Sequence, residues 1–445
     1  MPILQLLVIF SILLILDAEL SITARTALAI LTLLNLSVLT VFSGLIFEER
    51  NVVFFLVCFM LSIKQFEQTG SIASAMVATV SAQIMLYSKE TALLLLLGFA
   101  VGRLILRCRD RHHAGWNYDR LWHRESLLDL CFAVLGMVFL FYYFAEMHFH
   151  ANMNYAERTQ GPRGETVLAY IRIDPLAWLF VAVVLGRIDL ILRRGVAPSL
   201  LWDGLAIGGV TCFLGYLYLS IFSIYYLAPV DLIAVLYVGR YVMLAWKKIP
   251  TWGKTMVLPL GAIVLLQNVL VSSYAVFERK NLIQAKSEIA SVVKEQYRNG
   301  AANALELFFP FSSGYSIMEF ASYLNYRGLP VEGAVDEAAG PNRVVLATRA
   351  AAEDGRCVEW MSIRCKAVNE PAPGNLVIVL PDDDVSTEEA SVYRERGELL
   401  FFYEPRPLLR PWLSSLFASL HIGTTRYWHK ALPDRWLDGS VTIWK

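Results

Sequence analysis

The stretch Thr255–Ala275, TMVLPLGAIVLLQNVLVSSYA, is followed directly by VFERKNLIQAKSEIASVVKEQYR, and this change of composition near Tyr274 decides the fold. Before Tyr274 the chain is a series of apolar segments, most of them about as long as a bilayer is thick. After it, most residues are polar. The sequence therefore predicts a polytopic α-helical membrane protein, with a transmembrane domain over residues 1–275 and an extracytoplasmic α/β domain over residues 276–445.

The composition also indicates a lipid environment. Of the 445 residues, 56% are hydrophobic and 18% are charged, whereas a soluble domain is about 25% charged. The 39 Lys and Arg residues balance the 39 Asp and Glu residues, so no net field attracts nucleic acid. The sequence has no Walker, GxGxxG, HExxH or GxSxG motif, which leaves cytosolic nucleotide chemistry without support.

About ten apolar segments are candidate membrane helices, and Lys and Arg accumulate in three of the loops between them. Two spans separate each basic loop from the next, and cytoplasmic loops retain Lys and Arg. The three loops therefore predict one cytoplasmic side, and the last span delivers the C-terminal domain to the outside. The segments are 3–17, 24–46, 51–66, 71–87, 90–107, 126–147, 170–192, 203–226, 229–246 and 255–275, and the basic loops are 103–125, 193–194 and 247–254.

Beyond Tyr274 the pattern alternates between helix and strand, which is typical of a small α/β layer domain. Ile283, Ile289 and Val293 recur on one face of a helix that leaves the membrane. Ser386 and Glu389 form a capping box at the start of another helix. The predicted helices are 279–298, 315–326, 386–396 and 407–420, and the predicted strands are 343–348, 375–380 and 399–403.

Three acids at the ends of predicted spans are candidates for catalysis, because ionisable groups within a membrane are costly and often functional. Asp231 is the single acid of a hydrophobic hairpin. Asp17 and Glu19 lie two residues apart after the first span, where they form either a base or metal ligand or an ordinary solvated helix end. A count of ten spans places this end in the cytoplasm, and a change of one span reverses that side.

Candidate substrate-binding residues lie at the predicted outer ends of two other spans. Arg172 would meet a lipid phosphate, and Asp174 beside it is also suited to cap the helix that Pro175 opens. A second group follows the span 126–147, where alternate spacing suits a strand or loop that binds a metal ion or moves a proton. Interfacial polar residues beside an aromatic belt are the alternative for this group, which comprises Glu146, His148 and His150.

In the C-terminal domain, Arg406 and Arg410 lie among prolines and aromatic residues, which suits sugar or phosphate binding and equally contact with lipid headgroups. Residues 382–384, three aspartates after a predicted strand, form either a metal or sugar site or a turn. Cys357 and Cys365 are either a disulfide across a short loop or two free thiols. The sequence names no cofactor, although a divalent cation stays an option.

The layout resembles that of the polytopic GT-C-type glycosyltransferases of bacterial envelopes. Besides the order of the spans, Phe309–Tyr315, FPFSSGY, running into Glu319–Leu324, EFASYL, looks like the start of the C-terminal domain of such a protein. The resemblance implies a polyprenyl-phosphate-linked sugar donor, a place in the bacterial inner membrane and a periplasmic C-terminal domain. That family usually has acids in its first external loop, where here only Asp17 and Glu19 match, and the span count places them inside.

Three functions are then open. The first is an enzyme that transfers or polymerises sugars from the polyprenyl-linked donor, with Asp231 or Asp17 as the base and Arg172 on the phosphate. The second is a non-catalytic membrane subunit of a polysaccharide assembly or export complex, whose external domain binds glycan or another envelope protein. A transporter ranks last because the sequence shows no inverted repeat. The expected partners are membrane lipid and polyprenyl-linked glycan, and nucleic acid is not expected.

Overall fold

The computed structural model divides the chain into two compact units, Met1–Val276 with Ile422–Arg426, and Phe277–His421 with Tyr427–Lys445. It describes residues 2–43, 48–108, 123–150, 163–220, 224–246, 284–298, 305–310, 314–329, 344–349, 358–360, 363–368, 370–371, 375–380, 399–403 and 441–444, with the single positions 251, 255, 259 and 331.

The described part of the first unit is helical. Its helices are α1 Pro2–Leu16, α2 Ile22–Leu33, α3 Leu36–Ser43, α4 Glu49–Thr69, α5 Ile72–Ser88, α6 Ala92–Cys108, α7 Arg124–His150, α8 Arg163–Ile173, α9 Pro175–Arg194, α10 Leu200–Tyr218 and α11 Ala228–Ala245, with a 3-10 turn at Ile224–Leu227 before α11. Among the described residues, five helices are long and apolar enough to cross a membrane, or six if one bent pair counts as a single span. These helices are those of a membrane-embedded protein.

Two of the predicted spans are interrupted. The segment 24–46 is broken between α2 and α3, which meet at an angle of 64°, and the segment 170–192 is broken at Asp174 between α8 and α9. At the second break, Pro175 has no N–H to continue a helix, and the Asp174 side chain accepts a hydrogen bond from the Ala177 amide as the N-cap of α9. Hydrophobicity alone does not reveal such breaks, because the apolar pattern runs through both.

The helices α6 and α10 approach each other closely at small residues. A side chain at Gly208 of α10 would place its Cβ 2.5 Å from the backbone carbonyl of Leu95 in α6, and one at Gly98 would meet Thr211 at 2.7 Å. Only glycine permits so short a separation of the two helices. Aromatic rings of Phe59, Phe99 and Phe132 then fill the space between α4, α6 and α7.

Buried ion pairs mark one end of this helical bundle, which we call the basic end. They join α6 to α7, α9 to α10, and α11 to the turn that follows α1. The pairs are Arg103–Asp129, Arg187–Asp203 and Arg240–Asp17, with nitrogen–oxygen distances of 3.0, 3.5 and 2.7 Å.

In the second unit the described strands form one seven-stranded sheet in the order β3-β4-β2-β1-β5-β7-β6. Four central strands are parallel, and β3, β6 and β7 run antiparallel to their neighbours. Two helices accompany the sheet, α12 over residues 284–298 and α13 at Gly314–Tyr326 between β1 and β2. The strands are β1 Leu305–Phe309, β2 Val344–Thr348, β3 Val358–Trp360, β4 Ile363–Ala367, β5 Leu376–Val379, β6 Leu399–Tyr403 and β7 Val441–Trp444.

The core of this unit lies between the sheet and its two helices. Ile289 and Val293 of α12 and Phe320 and Leu324 of α13 are buried against Leu307 and its neighbours on the central strands. The predicted helix 315–326 and the predicted strands 343–348, 375–380 and 399–403 are confirmed within a residue or two. The predicted helices 386–396 and 407–420 and the aspartates 382–384 lie outside the described residues.

Candidate functional site: a buried aspartate pair

Asp174 and Asp231 meet inside the helical bundle, at the end opposite the basic end. Asp174 directly precedes α9. Asp231 lies in the first turn of α11 and is not its N-cap, because this helix already begins at Ala228. The two residues are 8% and 3% exposed, and their carboxyl groups lie within hydrogen-bonding reach of each other. Two residues that the sequence analysis selected separately therefore form one site.

The break between α2 and α3 supplies the third side of this site. The Ser37 hydroxyl lies 2.5 Å from Asp231 Oδ2 and 2.7 Å from Asn35 Oδ1, which also accepts the Ser37 backbone N–H at 2.9 Å. Ser37 is 1% exposed and Asn35 is 4% exposed. The site thus joins three points at which helices begin or break, and its lining is made of oxygen-bearing side chains.

Asn35 and Ser37 were not predicted as site residues from the sequence, because both are uncharged. A signal was nevertheless present, since the two polar residues Asn35 and Ser37 fall in the middle of an otherwise apolar segment. Asn and Ser side chains bind nearby backbone groups and compete with helical hydrogen bonds. A polar pair of this kind in the middle of a predicted span is therefore a reason to expect a break there.

The aspartate pair differs from the other buried acids in its neighbours. Asp129 is fully buried and contacts Arg103 and Arg107, and Asp203 contacts Arg187. At Asp174 and Asp231 no Lys or Arg side chain that the structure describes is an electrostatic partner. Buried charges normally require a partner. The negative charge of this pair is therefore neutralised by something other than a described Lys or Arg side chain.

Lys89 lies at the same end of the bundle, but its contacts are with other groups. Lys89, between α5 and α6, is 3.4 Å from Glu49 at the start of α4, and its ammonium group stands 5.0 Å above the Tyr226 ring. Burial lowers the pKa of Lys89, but the carboxylates of Glu90 and Glu49 more than offset this effect, and the net result is a raised pKa. Lys89 therefore stays charged and forms ion pairs with Glu49 and Glu90.

Asp17 and Glu19 lie at the basic end, away from the aspartate pair. Both carboxylates bind the guanidinium of Arg240, which also stands 5.7 Å from the Trp202 ring. Asp17, Arg25 and Arg240 line a small cavity of about 10 Å³, room for about one water molecule. Because one arginine engages both acids, the structure favours a structural ion pair over a free catalytic base for Asp17 and Glu19. Arg240 was not predicted as a site residue from the sequence.

The remaining candidate residues are placed only in part. Glu146, His148 and His150 lie in the last turns of α7, so the expected strand or loop is wrong: the apolar helix continues to His150. Their side chains, like that of Arg172 in α8, lie outside the described residues. The same holds for Arg406, Arg410 and Cys357 as whole residues, while Cys365 is buried on β4 in the core of the second unit.

Two further observations bear on function. Among the described side chains, no group of three or more His, Cys, Asp and Glu residues is placed to hold a metal ion. Comparison with protein-family models, with curated proteins and with solved structures finds no match. The geometry of the aspartate pair is therefore the strongest local guide to what this protein does.

Proposed function

We propose that this chain is an integral membrane protein of cell-envelope glycan biosynthesis, which transfers or polymerises sugars from a polyprenyl-phosphate-linked donor. In this proposal about ten helices cross the bacterial inner membrane, and residues 276–445 form a periplasmic α/β domain. The aspartate pair is the observation on which the proposal depends. It supplies acid–base groups at the end of the bundle that the distribution of Lys and Arg predicts to be external.

The position of the pair favours Asp231 over Asp17 and Glu19 as the catalytic base. Asp231 lies in the first turn of α11, and Arg240 at the basic end lies nine residues later, about 13 Å along the helix axis. A donor on the external leaflet would therefore approach Asp231 and not the acids that Arg240 holds. Arg172, in the last turn of α8, is the proposed ligand of the donor phosphate, because a guanidinium matches phosphate oxygens in a bidentate way.

The proposed reaction requires one proton acceptor. Once the substrate has opened the site and the pair is ionised, the Asp231 carboxylate takes the proton of an acceptor hydroxyl, and the hydroxyl oxygen attacks the anomeric carbon of the donor sugar. The glycosidic bond forms as the bond between that carbon and the phosphate oxygen breaks, and the polyprenyl phosphate leaves with the electron pair. Asp174 positions Asp231 and can exchange the proton with it, because two carboxyls in contact share protons.

Substitution of the acids tests this proposal. D231N and D174N should abolish surface glycan in cells that depend on this chain, at unchanged amounts of the protein in the membrane. E19Q is a matched control, because Glu19 is an acid of the same unit whose side chain is 68% exposed at the basic end. Normal glycan in cells with D231N would remove Asp231 from the chemistry.

The burial of the pair favours the second candidate, a non-catalytic subunit of a polysaccharide assembly or export complex. With Asp231 only 3% exposed, a substrate reaches it only after the surrounding helices separate. In a subunit of this kind, residues 276–445 would bind glycan or another envelope protein. If D231N, D174N and R172Q all keep full activity while deletion of residues 276–445 abolishes the product, this candidate replaces the enzyme.

A further inference from the structure

We propose that Asp174, Asp231, Ser37 and Asn35 form a proton-binding site, which is loaded in this structure and releases its protons as the helix breaks around it separate. The inference stands on the hydrogen-bond geometry and does not need the glycan function. It concerns a ligand, the proton, whose binding can be measured on the purified chain without any substrate.

The first proton follows from a count of the hydrogen atoms available for the contacts between Asn35, Ser37 and Asp231. Asn35 Oδ1 accepts the Ser37 backbone N–H, so it is an oxygen with no hydrogen to give. The Ser37 hydroxyl has one hydrogen but lies within hydrogen-bond distance of both Asn35 Oδ1 and Asp231 Oδ2. The Asn35 side chain is also a hydrogen-bond partner of Asp231, but it does not supply the hydrogen between Ser37 and Asp231 Oδ2. When the single Ser37 hydrogen goes to Asn35 Oδ1, the contact between Ser37 and Asp231 Oδ2 needs a hydrogen on the Asp231 carboxyl.

The contact between the two carboxyls needs a second hydrogen. Asp174 Oδ1 accepts the Ala177 amide, and Asp231 Oδ2 faces Ser37, which leaves Asp174 Oδ2 and Asp231 Oδ1 for each other. Both of these oxygens are buried, and neither has an N–H or O–H partner while the carboxyls are ionised. A proton on each carboxyl satisfies every one of these contacts and leaves the site without charge.

The charges on the surrounding helices do not replace these protons. At the pair's own end, Glu49 and Lys89 engage each other, Arg50 follows Glu49 on α4, and Tyr170, Tyr216, Tyr225 and Tyr226 are phenols that stay neutral near pH 7. The other charged side chains that the structure describes on the helices packed against the pair lie at the basic end. They are Arg25 on α2, Lys64 and Glu67 on α4, Arg187, Asp189, Arg193 and Arg194 on α9, Asp203 on α10 and Arg240 on α11.

Loss of the protons would destabilise the contacts between the helix breaks directly. An ionised pair would place two negative charges in contact inside an apolar bundle, where an unpaired buried charge is strongly unfavourable. The Asp174 carboxyl caps α9, and the Asp231 carboxyl lies in the first turn of α11 and contacts Ser37 at the start of α3. Separation of these three elements admits water to the carboxyls, so proton release and opening of the junction are one event.

Infrared spectroscopy of the purified full-length chain tests the loading. The wild type should show a carbonyl band of protonated, solvent-shielded carboxyl groups near neutral pH, and D174N and D231N should each lose intensity in it. D203N is the matched control, because Asp203 is a buried acid of the same bundle with an arginine partner. A wild-type spectrum without such a band at neutral pH would overturn the proposal.

Hydrogen–deuterium exchange tests the opening and does not depend on the infrared result. Exchange in the peptides around residues 34–38 and 172–178 should rise at least tenfold from neutral to alkaline pH beyond the intrinsic pH effect in the wild type. In the double variant D174N/D231N this additional rise should disappear. A rise that persists in the double variant would overturn the coupling, as would stabilisation by Na⁺ at constant ionic strength that D231N removes.

Discussion

A comparison of two isosteric substitutions, D203N and D231N, separates an ion-paired acid from a proton-loaded one. The Asp203 carboxylate accepts hydrogen bonds from Tyr237 at 2.8 Å, from Tyr241 at 3.2 Å and from the Ser199 amide at 2.7 Å. It also lies 3.5 Å from Arg187 Nε, and the Arg187 side chain is only 15% exposed. Asparagine at this position removes the charge and leaves the arginine buried without its carboxylate.

The size of the expected difference follows from these contacts. Breaking a buried ion pair by removing one partner costs about 3–5 kcal/mol. The long distance between Arg187 and Asp203, and the second hydrogen bond of Arg187 to the Ala197 carbonyl, favour the lower limit of about 3 kcal/mol. This corresponds to a change of about 150-fold in the folding equilibrium. D231N changes no charge if Asp231 is protonated, and it should cost less than about 1 kcal/mol.

The assay is reversible unfolding of the full-length chain in mixed micelles at neutral pH, followed by the free energy of unfolding for each variant. D129N serves as a second ion-paired control, because Asp129 is fully buried beside Arg103 and Arg107. If D231N destabilises the chain as much as D203N does, Asp231 is ionised in the folded protein, and the argument from hydrogen-bond geometry is refuted.

Three other predictions concern the remaining contacts. R240Q should reduce the free energy of unfolding by about 3 kcal/mol because it leaves Asp17 buried without its guanidinium; in a double-mutant cycle, D17N should recover part of this loss, and purely additive effects would contradict the ion pair. G208V should destabilise the membrane unit by at least about 2 kcal/mol through its clash with the Leu95 carbonyl, whereas G186V, where nothing lies within 4 Å, should be close to neutral in the same unfolding assay. F320A should cost about 3–5 kcal/mol in the second unit, measured as accelerated proteolysis or hydrogen exchange of β1 and α13 in the full-length chain, and unchanged protection there would contradict its place in the core.

The sequence predicted the helices of the membrane unit better than their interruptions. Long apolar runs require burial or lipid wherever they occur, so their positions follow from composition alone. The break at Asn35 depends on a local competition between side-chain and backbone hydrogen bonds. The angle between α2 and α3 depends on the helices against which they pack. In the second unit, all strands are too short to show a period. The predicted strands β2, β5 and β6 are nearly continuous apolar runs, whereas polar or charged residues interrupt β1, β3, β4 and β7, which were not predicted.

The site was predictable in its members but not in its arrangement. Asp174 and Asp231 were selected because ionisable residues near a membrane interior are rare and costly. Their contact was not predictable, because 57 positions separate them and the pairing depends on how α9 and α11 pack. For the same reason the sequence could not show that Arg240, more than 220 positions away, binds Asp17 and Glu19.

The distribution of basic residues explains why the two groups of buried acids differ. Lys and Arg concentrate at one end of the bundle, so acids buried there find arginine partners, as Asp17, Asp129 and Asp203 do. The same asymmetry depletes cations at the other end, where Lys89 is already engaged by Glu49. An acid buried at that end is neutralised most readily by a proton, since each unpaired charge in an apolar interior is more costly than protonation. The rule that orients the helices therefore also selects the end of the bundle at which a carboxyl can bind and release protons.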